Sequence, residues 1–236
     1  MADKCVIGIQ ARSTSTRLPG KCTMKVTSKD TVLDMVIESC RRSVDFLNRG
    51  NDVECELALL VPKGDPIKAK YCREVFTIEG SEEDCLSRYI QLAEVYPKAN
   101  YICRITSDCP LLPANVITRH ILTAAKRNAD FVTNAYLDYR TSPDGHDVEV
   151  LSRKALSYMA QCDLDAFYRE HVTLHLKEHP PEWLACVGMF NHLNLSSIKI
   201  SVDTPGDLEN VKVEHQELRS IIDSFVKETG HGIYFY

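Results

Sequence analysis

Short apolar runs alternate along this chain with stretches of helical periodicity, and that alternation limits its fold more than any other feature. The runs are Cys5–Ile9, Glu56–Val61, Val75–Ile78, Tyr101–Ile105 and Asp130–Thr133. Between them, Leu33, Val36, Ile37, Cys40, Val44 and Leu47 recur at helical spacing, as do Leu86, Ile90, Ala93 and, near the next break, Val95. Apolar runs this short read as strands of a mainly parallel sheet covered on both faces. Strand and helix in alternation then specify an α/β, doubly wound, Rossmann-like architecture. The 236 residues suffice for one domain, 1–236, with a full sheet core. No repeat, low-complexity tract or linker divides them, and Ser142-Pro143-Asp144-Gly145 reads as a turn into a small substrate-facing insert.

Such a sheet places ligands beyond the carboxyl ends of its strands. The first of those ends is Gln10-Ala11-Arg12-Ser13-Thr14-Ser15-Thr16-Arg17-Leu18-Pro19-Gly20-Lys21, a loop rich in hydroxyls and cations. Between Asp3 and Asp30 lie six basic side chains and no acidic one, in a chain whose net charge is −5. Two guanidiniums can grip phosphate oxygens bidentately while Lys21 acts as a point charge, and loop N–H groups add an anion-binding nest. The spacing is neither a Walker loop nor a dinucleotide fingerprint. A solvated basic loop is the plainer alternative.

Asp108 follows the run Tyr101–Thr106 and precedes Cys109-Pro110, so its carboxylate emerges at the sheet edge; a turn or helix cap is its structural alternative. Asp203 likewise ends Ser197–Val202, a run of alternating character. Pro205 suits a first helical position, which makes Thr204 the N-cap, gives Asp207 the capping-box role and leaves the Asp203 carboxylate free. Two hard oxygen ligands from two strand ends suit Mg²⁺, which keeps several waters and takes substrate phosphates.

Three further segments carry candidates. Ser81 with Asp84, after Gly80, forms an ordinary helix-start motif. In Pro143–Val150, Asp147 and Glu149 lie on one face of an extended stretch opposite Val148 and Val150, with solvated edge carboxylates as the alternative. His171, His175 and His179 recur every four residues on a helix-like stretch with Arg169, but no nearby cysteine or carboxylate completes a zinc set. The apolar ending Gly230–Tyr236 suggests packing on the body or on a second subunit.

The acidic balance, with pI near 5.9, argues against a nucleic-acid partner. Cys5–Ile9 is too short for a membrane span or a signal peptide, and ten scattered cysteines without a C-x-x-C pair read as reduced, mostly buried thiols of a cytoplasmic protein.

Ala11–Lys21 resembles the A-R-x-x-S-T-R-L-P-G-K signature of the cytidylyltransferases that activate acidic sugars, a family that includes 3-deoxy-manno-octulosonate cytidylyltransferase and the CMP-sialic acid synthetases. The likeness is greatest to the spore-coat polysaccharide biosynthesis branch. Gly80–Tyr89, Arg104–Leu111, Pro143–Val150, Arg169–Thr173 and Val202–Leu208 match in the expected order, covering nearly the whole chain. The resemblance implies a nucleotidyltransferase (GT-A-like) sheet and transfer of CMP from CTP to an acidic-sugar hydroxyl with release of pyrophosphate. It implies Mg²⁺ on Asp108 and Asp203, and nucleotide binding by Ala11, Arg12, Ser13, Ser15, Thr16, Arg17, Lys21, Gly80, Ser81 and Asp84. Arg12, Arg17, Lys21 and Asp108 would be catalytic, Asp144, Asp147, Glu149, Arg169 and His171 would face the acceptor, and the enzyme would be a homodimer. Thr14 and Ser107 stand where the branch usually has Gly; Thr14 would resist a positive φ, and Ser107 adds a side chain beside the metal carboxylate. The rivals are a glycosyltransferase, which would normally carry an Asp-x-Asp motif where this chain has Thr106-Ser107-Asp108, and a non-catalytic nucleotide-binding protein.

Overall fold

In the computed structural model, which describes residues 2–50, 52–136 and 138–229, seven strands form one sheet in the order β3-β2-β1-β4-β6-β5-β7. They are β1 (Asp3–Gln10), β2 (Val53–Pro62), β3 (Phe76–Gly80), β4 (Tyr101–Thr106), β5 (Phe131–Thr133), β6 (Glu149–Ser152) and β7 (Cys186–Gly188). β1 runs parallel to β2 and β4, and β2 parallel to β3. β6 enters antiparallel between β4 and β5, which itself pairs parallel with β7.

Both sheet faces are dry, which is why the strands carry so little alternation. On β1, Cys5, Ile7 and Ile9 face a core that includes α1 (Val32–Gly50) and α4 (Ala114–Arg127). Val6 faces the other core, built with α3 (Cys85–Val95) and α5 (Arg153–Gln161). α3 lies so close to β1 that a Cβ on Gly8 would stand 2.8 Å from Leu92 Cδ2. The α1 stripe is buried at Leu33, Val36, Ile37, Cys40 and Leu47, whereas Val95, the last residue of α3, is exposed. Seven of the ten cysteines are buried, and all ten are free thiols. Among the described residues no helix is long and apolar enough to cross a membrane.

Two expectations change in the structure. Ser197–Val202 is no strand; it makes a single bridge, Asp144 to Lys199. There Gly145, at φ 113°, turns the chain while packed against the backbone of Ile200 and Ser201, and pairing does not extend beyond that bridge. The three histidines do not share a helix. α6 (Ala166–His171) ends in a γ-turn at Val172 (φ 56°, ψ −70°), where the Thr173 N–H donates to the His171 carbonyl at 2.7 Å. α7 (Leu174–Glu178) then starts anew, after α2 (Pro66–Tyr71) and before the long C-terminal α8 (Pro205–Thr229). The segment Gly230–Tyr236 lies outside the described residues.

Candidate active site

The first loop leaves β1 at the carboxyl edge of the sheet and is closed on itself by Gly20 N–H donating to the Ser13 carbonyl at 2.8 Å. Its anchor is Asp65, whose Oδ2 accepts from Ser13 N–H at 2.8 Å and from Ser13 Oγ at 3.0 Å. The other oxygen of Asp65 caps α2 by accepting from Ile67 N–H. Beneath the loop, Arg88 is 1% exposed. It donates to the carbonyls of Leu60 at 3.0 Å and Ala11 at 3.4 Å, tying the ends of β1 and β2 together. Thr14 adopts no positive φ and places its hydroxyl against Glu82. Ala11 is buried and Thr16 exposed, with Ser15 half-buried between these extremes.

Lys21 sits in a 3₁₀ turn (Lys21–Thr23) and is only 8% exposed. Its Nζ lies 2.7 Å from Asp108 Oδ2 and 3.0 Å from Asp203 Oδ1. The Asp108 carbonyl accepts from Val202 N–H at 2.8 Å, so backbone as well as charge brings the two carboxylates together. Burial works against the Lys21 ammonium, but Asp108 and Asp203 outweigh it and raise its pKa. Burial likewise opposes the Asp108 anion, and the neighbouring Lys21 outweighs it, leaving the carboxyl below its ordinary range. The helix-start pattern leaves the Asp203 carboxylate free of capping, but it is not free of partners. It also receives Arg17 Nη2 at 2.8 Å and Lys199 Nζ at 3.3 Å. The capping box itself forms: Asp207 Oδ2 accepts from Thr204 N–H at 2.9 Å, and Thr204 Oγ1 accepts from Asp207 N–H at 3.2 Å. Ser107 turns inward, 3.1 Å from Cys22 Sγ.

Two adjacent residues of α6 reach the same edge. Glu170 meets Arg12 at 3.2 Å, and Arg169 holds Asp84 Oδ2 through Nε at 2.8 Å and Nη2 at 2.7 Å. Asp84 keeps its ordinary role too, since Oδ1 caps α3 by accepting from Ser87 N–H at 2.9 Å, and Ser81 Oγ accepts from Asp84 N–H at 3.0 Å. Gly80 permits close packing of the β3 end on α3, where a Cβ would stand 2.6 Å from Arg88 Cγ. His171 is exposed, its ring edge-on to Phe167.

The Pro143–Val150 segment divides its carboxylates. Val148 and Val150 enter the core, as the alternation requires. Glu149 is 1% exposed and sits between Arg104 and Lys177, so it is an interior ion pair and no edge carboxylate. Burial resists its charge, but Lys177 and Arg104 prevail and bring its pKa down to about 2. Asp147 pairs with Arg140, yet burial, aided by the negative field of Glu149, carries its pKa up to about 6. Asp144 is the exposed member, its side chain 43% accessible.

Sequence reasoning passed over Asp65, Arg88, Lys199 and Glu170. Asp65-Pro66 is an N-cap signature that could have marked the first of these. Lys199 stands four positions before Asp203, a spacing that could have marked it, whereas Glu170 and Arg88 reach Arg12 and the Leu60 and Ala11 carbonyls across long stretches of sequence and carry no local signal.

Residues 6–224 match the cytidylyltransferase family model. The spore coat polysaccharide biosynthesis protein SpsF of Bacillus subtilis is 27% identical over 213 residues, 89% of this chain and 85% of that protein. An uncharacterized protein of Methanocaldococcus jannaschii is 28% identical over 236 residues, 92% of this chain and 89% of its own length. Among solved structures, a cytidylyltransferase from Leptospira borgpetersenii superposes with a TM-score of 0.79 at 24% identity, covering 98% of this chain and 99% of the other. CMP:2-keto-3-deoxy-manno-octonic acid synthetase, solved with CTP, gives 0.65 at 14% identity over 91% and 99%. These two share the nucleotidyltransferase sheet described above. With a family model spanning almost its full length, the chain belongs to the cytidylyltransferases.

Proposed function

We propose that this protein transfers CMP from CTP to a hydroxyl of an acidic sugar, releasing pyrophosphate. The observation that carries the reading is the meeting of Asp108, Asp203 and Lys21 at the carboxyl edge of the sheet, beside a loop with two more cations. Family membership supplies the reaction class, and the relative named for spore coat polysaccharide biosynthesis favours a sugar acceptor.

The acceptor oxygen attacks the α-phosphorus in line, and negative charge grows on the leaving pyrophosphate. Arg12, Arg17 and Lys21 stabilise that charge, an effect greatest in the transition state. The backbone of Ala11–Thr16 follows the phosphates, while Gly80 and Ser81 border the base and ribose. Arg169 and Asp84 link that wall to α6, which brings His171 toward the acceptor with Asp144 and Asp147.

The carboxylate pair fits Mg²⁺. Asp108 and Asp203 are hard oxygen donors already drawn to one cation, and among the described residues no larger ligand cluster exists, leaving the remaining positions to phosphate and water. When bound, Mg²⁺ supplies Lewis-acid stabilisation of phosphate charge.

Incubation with each NTP, a panel of acidic sugars and Mg²⁺ tests the reading, followed by detection of pyrophosphate and of a CMP ester. CTP should be preferred and the ester should form. Tighter binding of another NTP in calorimetry would remove the cytidylyl assignment. The homodimer belongs to the same proposal: light scattering should give twice the chain mass, and a monomer over a broad concentration range would count against it.

A further inference from the structure

Asp108 and Asp203 lie on different segments, yet each gives an oxygen to the same ammonium, at 2.7 and 3.0 Å. We infer that Lys21 is the resident counter-cation of this pair in the nucleotide-free protein. A divalent cation can take its place only when phosphate oxygens draw Lys21 away, so metal enters with the nucleotide and not ahead of it. This rests on the proposed reading of the carboxylates as the metal site.

Charge balance supports the inference. Lys21, Arg17 and Lys199 face Asp108, Asp203 and Asp207 in one connected network, three cations against three anions. A divalent ion added alone would leave two uncompensated positive charges on a network whose centre is largely shielded from water, Lys21 with 10% and Asp203 with 14% of the side chain exposed, while Arg17 and Lys199 reach solvent at its rim. The same ion arriving with a triphosphate brings its own compensation. The geometry allows the exchange: the Lys21 backbone is fixed, its N–H donating to the Leu18 carbonyl at 3.1 Å, while its four-carbon stem can swing from carboxylate to phosphate. Because binding couplings are reciprocal, nucleotide and metal then raise each other's affinity by the same factor, and Lys21 is the residue that transmits it.

Mn²⁺ is a suitable probe, since its free hydrated form is counted directly by electron paramagnetic resonance. Titration of the nucleotide-free full chain compares wild type with Lys21→Met and Lys21→Gln, each also combined with Asp203→Asn. Both Lys21 variants should bind Mn²⁺ at least about tenfold more tightly than wild type, and Asp203→Asn should abolish the gain. Lys21→Gln retains a donor between the carboxylates if Lys21→Met folds poorly. As a second readout, Mn²⁺ should raise the melting temperature of the Lys21 variants and leave that of wild type unchanged. If wild type binds Mn²⁺ as tightly as the variants, and Asp203→Asn weakens both, the carboxylates hold metal but Lys21 does not guard them. If no background shows Asp203-dependent Mn²⁺ binding even with CTP present, the metal reading fails and this inference with it.

Discussion

Asp108→Asn and Asp203→Asn preserve volume while removing a charge, so they isolate the electrostatic work of each side chain. Loss of one preorganised electrostatic contact lowers turnover at least about a hundredfold, and pyrophosphate release with CTP and a productive acceptor should show that loss. Near-wild-type rates in both variants, with folding confirmed by circular dichroism, would reduce these carboxylates to structural ion-pair partners. Arg17→Ala should weaken CTP binding as well as slow the chemical step, because its guanidinium meets phosphate charge in both states; calorimetry and single-turnover rates separate the two. At this scale the sequence disclosed the residues better than their partners. Asp108 is legible from its place after the apolar run of β4 and the Thr204–Asp207 box from four consecutive residues, whereas Asp203 follows an alternating run that forms no strand. That Arg17 and Lys21 would join the nearby Lys199 on Asp203 was invisible, since Arg17 is 186 positions away and Lys21 182.

Elements position the site through a few tight contacts, and Gly145 makes the sharpest. At φ 113° it lies where L side chains are strained, and a Cβ would stand 2.7 Å from Ser201 N and 2.9 Å from Ile200 C. Gly145→Ala should therefore cost about 2 kcal/mol or more in chemical denaturation. It should also lower activity, because the segment it displaces leads directly into Asp203. Unchanged stability would mean that the bridge between Asp144 and Lys199 yields easily. The five strands expected from apolar runs all form, since burial on two faces writes itself into consecutive residues. β7 escaped notice because its three residues, Cys186–Gly188, are only half-buried at the sheet edge. The break between α6 and α7 escaped because the four-residue histidine spacing continues through Val172. Its γ-turn is sustained by a side chain buried to 0% exposure, a tertiary cause that periodicity cannot register.

On the scale of the whole molecule, the interior carboxylates tie folding to pH, and the two in the Pro143–Val150 segment pull in opposite directions. Glu149 has its pKa lowered from 4.5 to about 2, so its contribution is present above pH 4.5 and disappears as pH falls toward 2. Asp147, raised from 3.8 to about 6, contributes most below 3.8 and loses that contribution as pH rises through 6. Of the two, Glu149 dominates at neutrality because it neutralises Arg104 and Lys177 at once, in a place where either cation alone would be costly. A shift of this size corresponds to roughly 3 kcal/mol, the lower end of what breaking a buried pair costs. Glu149→Gln should thus be less stable than wild type by about 3 kcal/mol at pH 7, and the difference should shrink between pH 4.5 and 2 as wild-type Glu149 takes up its proton. Urea unfolding of both proteins across that range measures it. A stability gap that stays constant with pH would show that Glu149 supports the sheet through packing and hydrogen-bond geometry, with its charge contributing nothing.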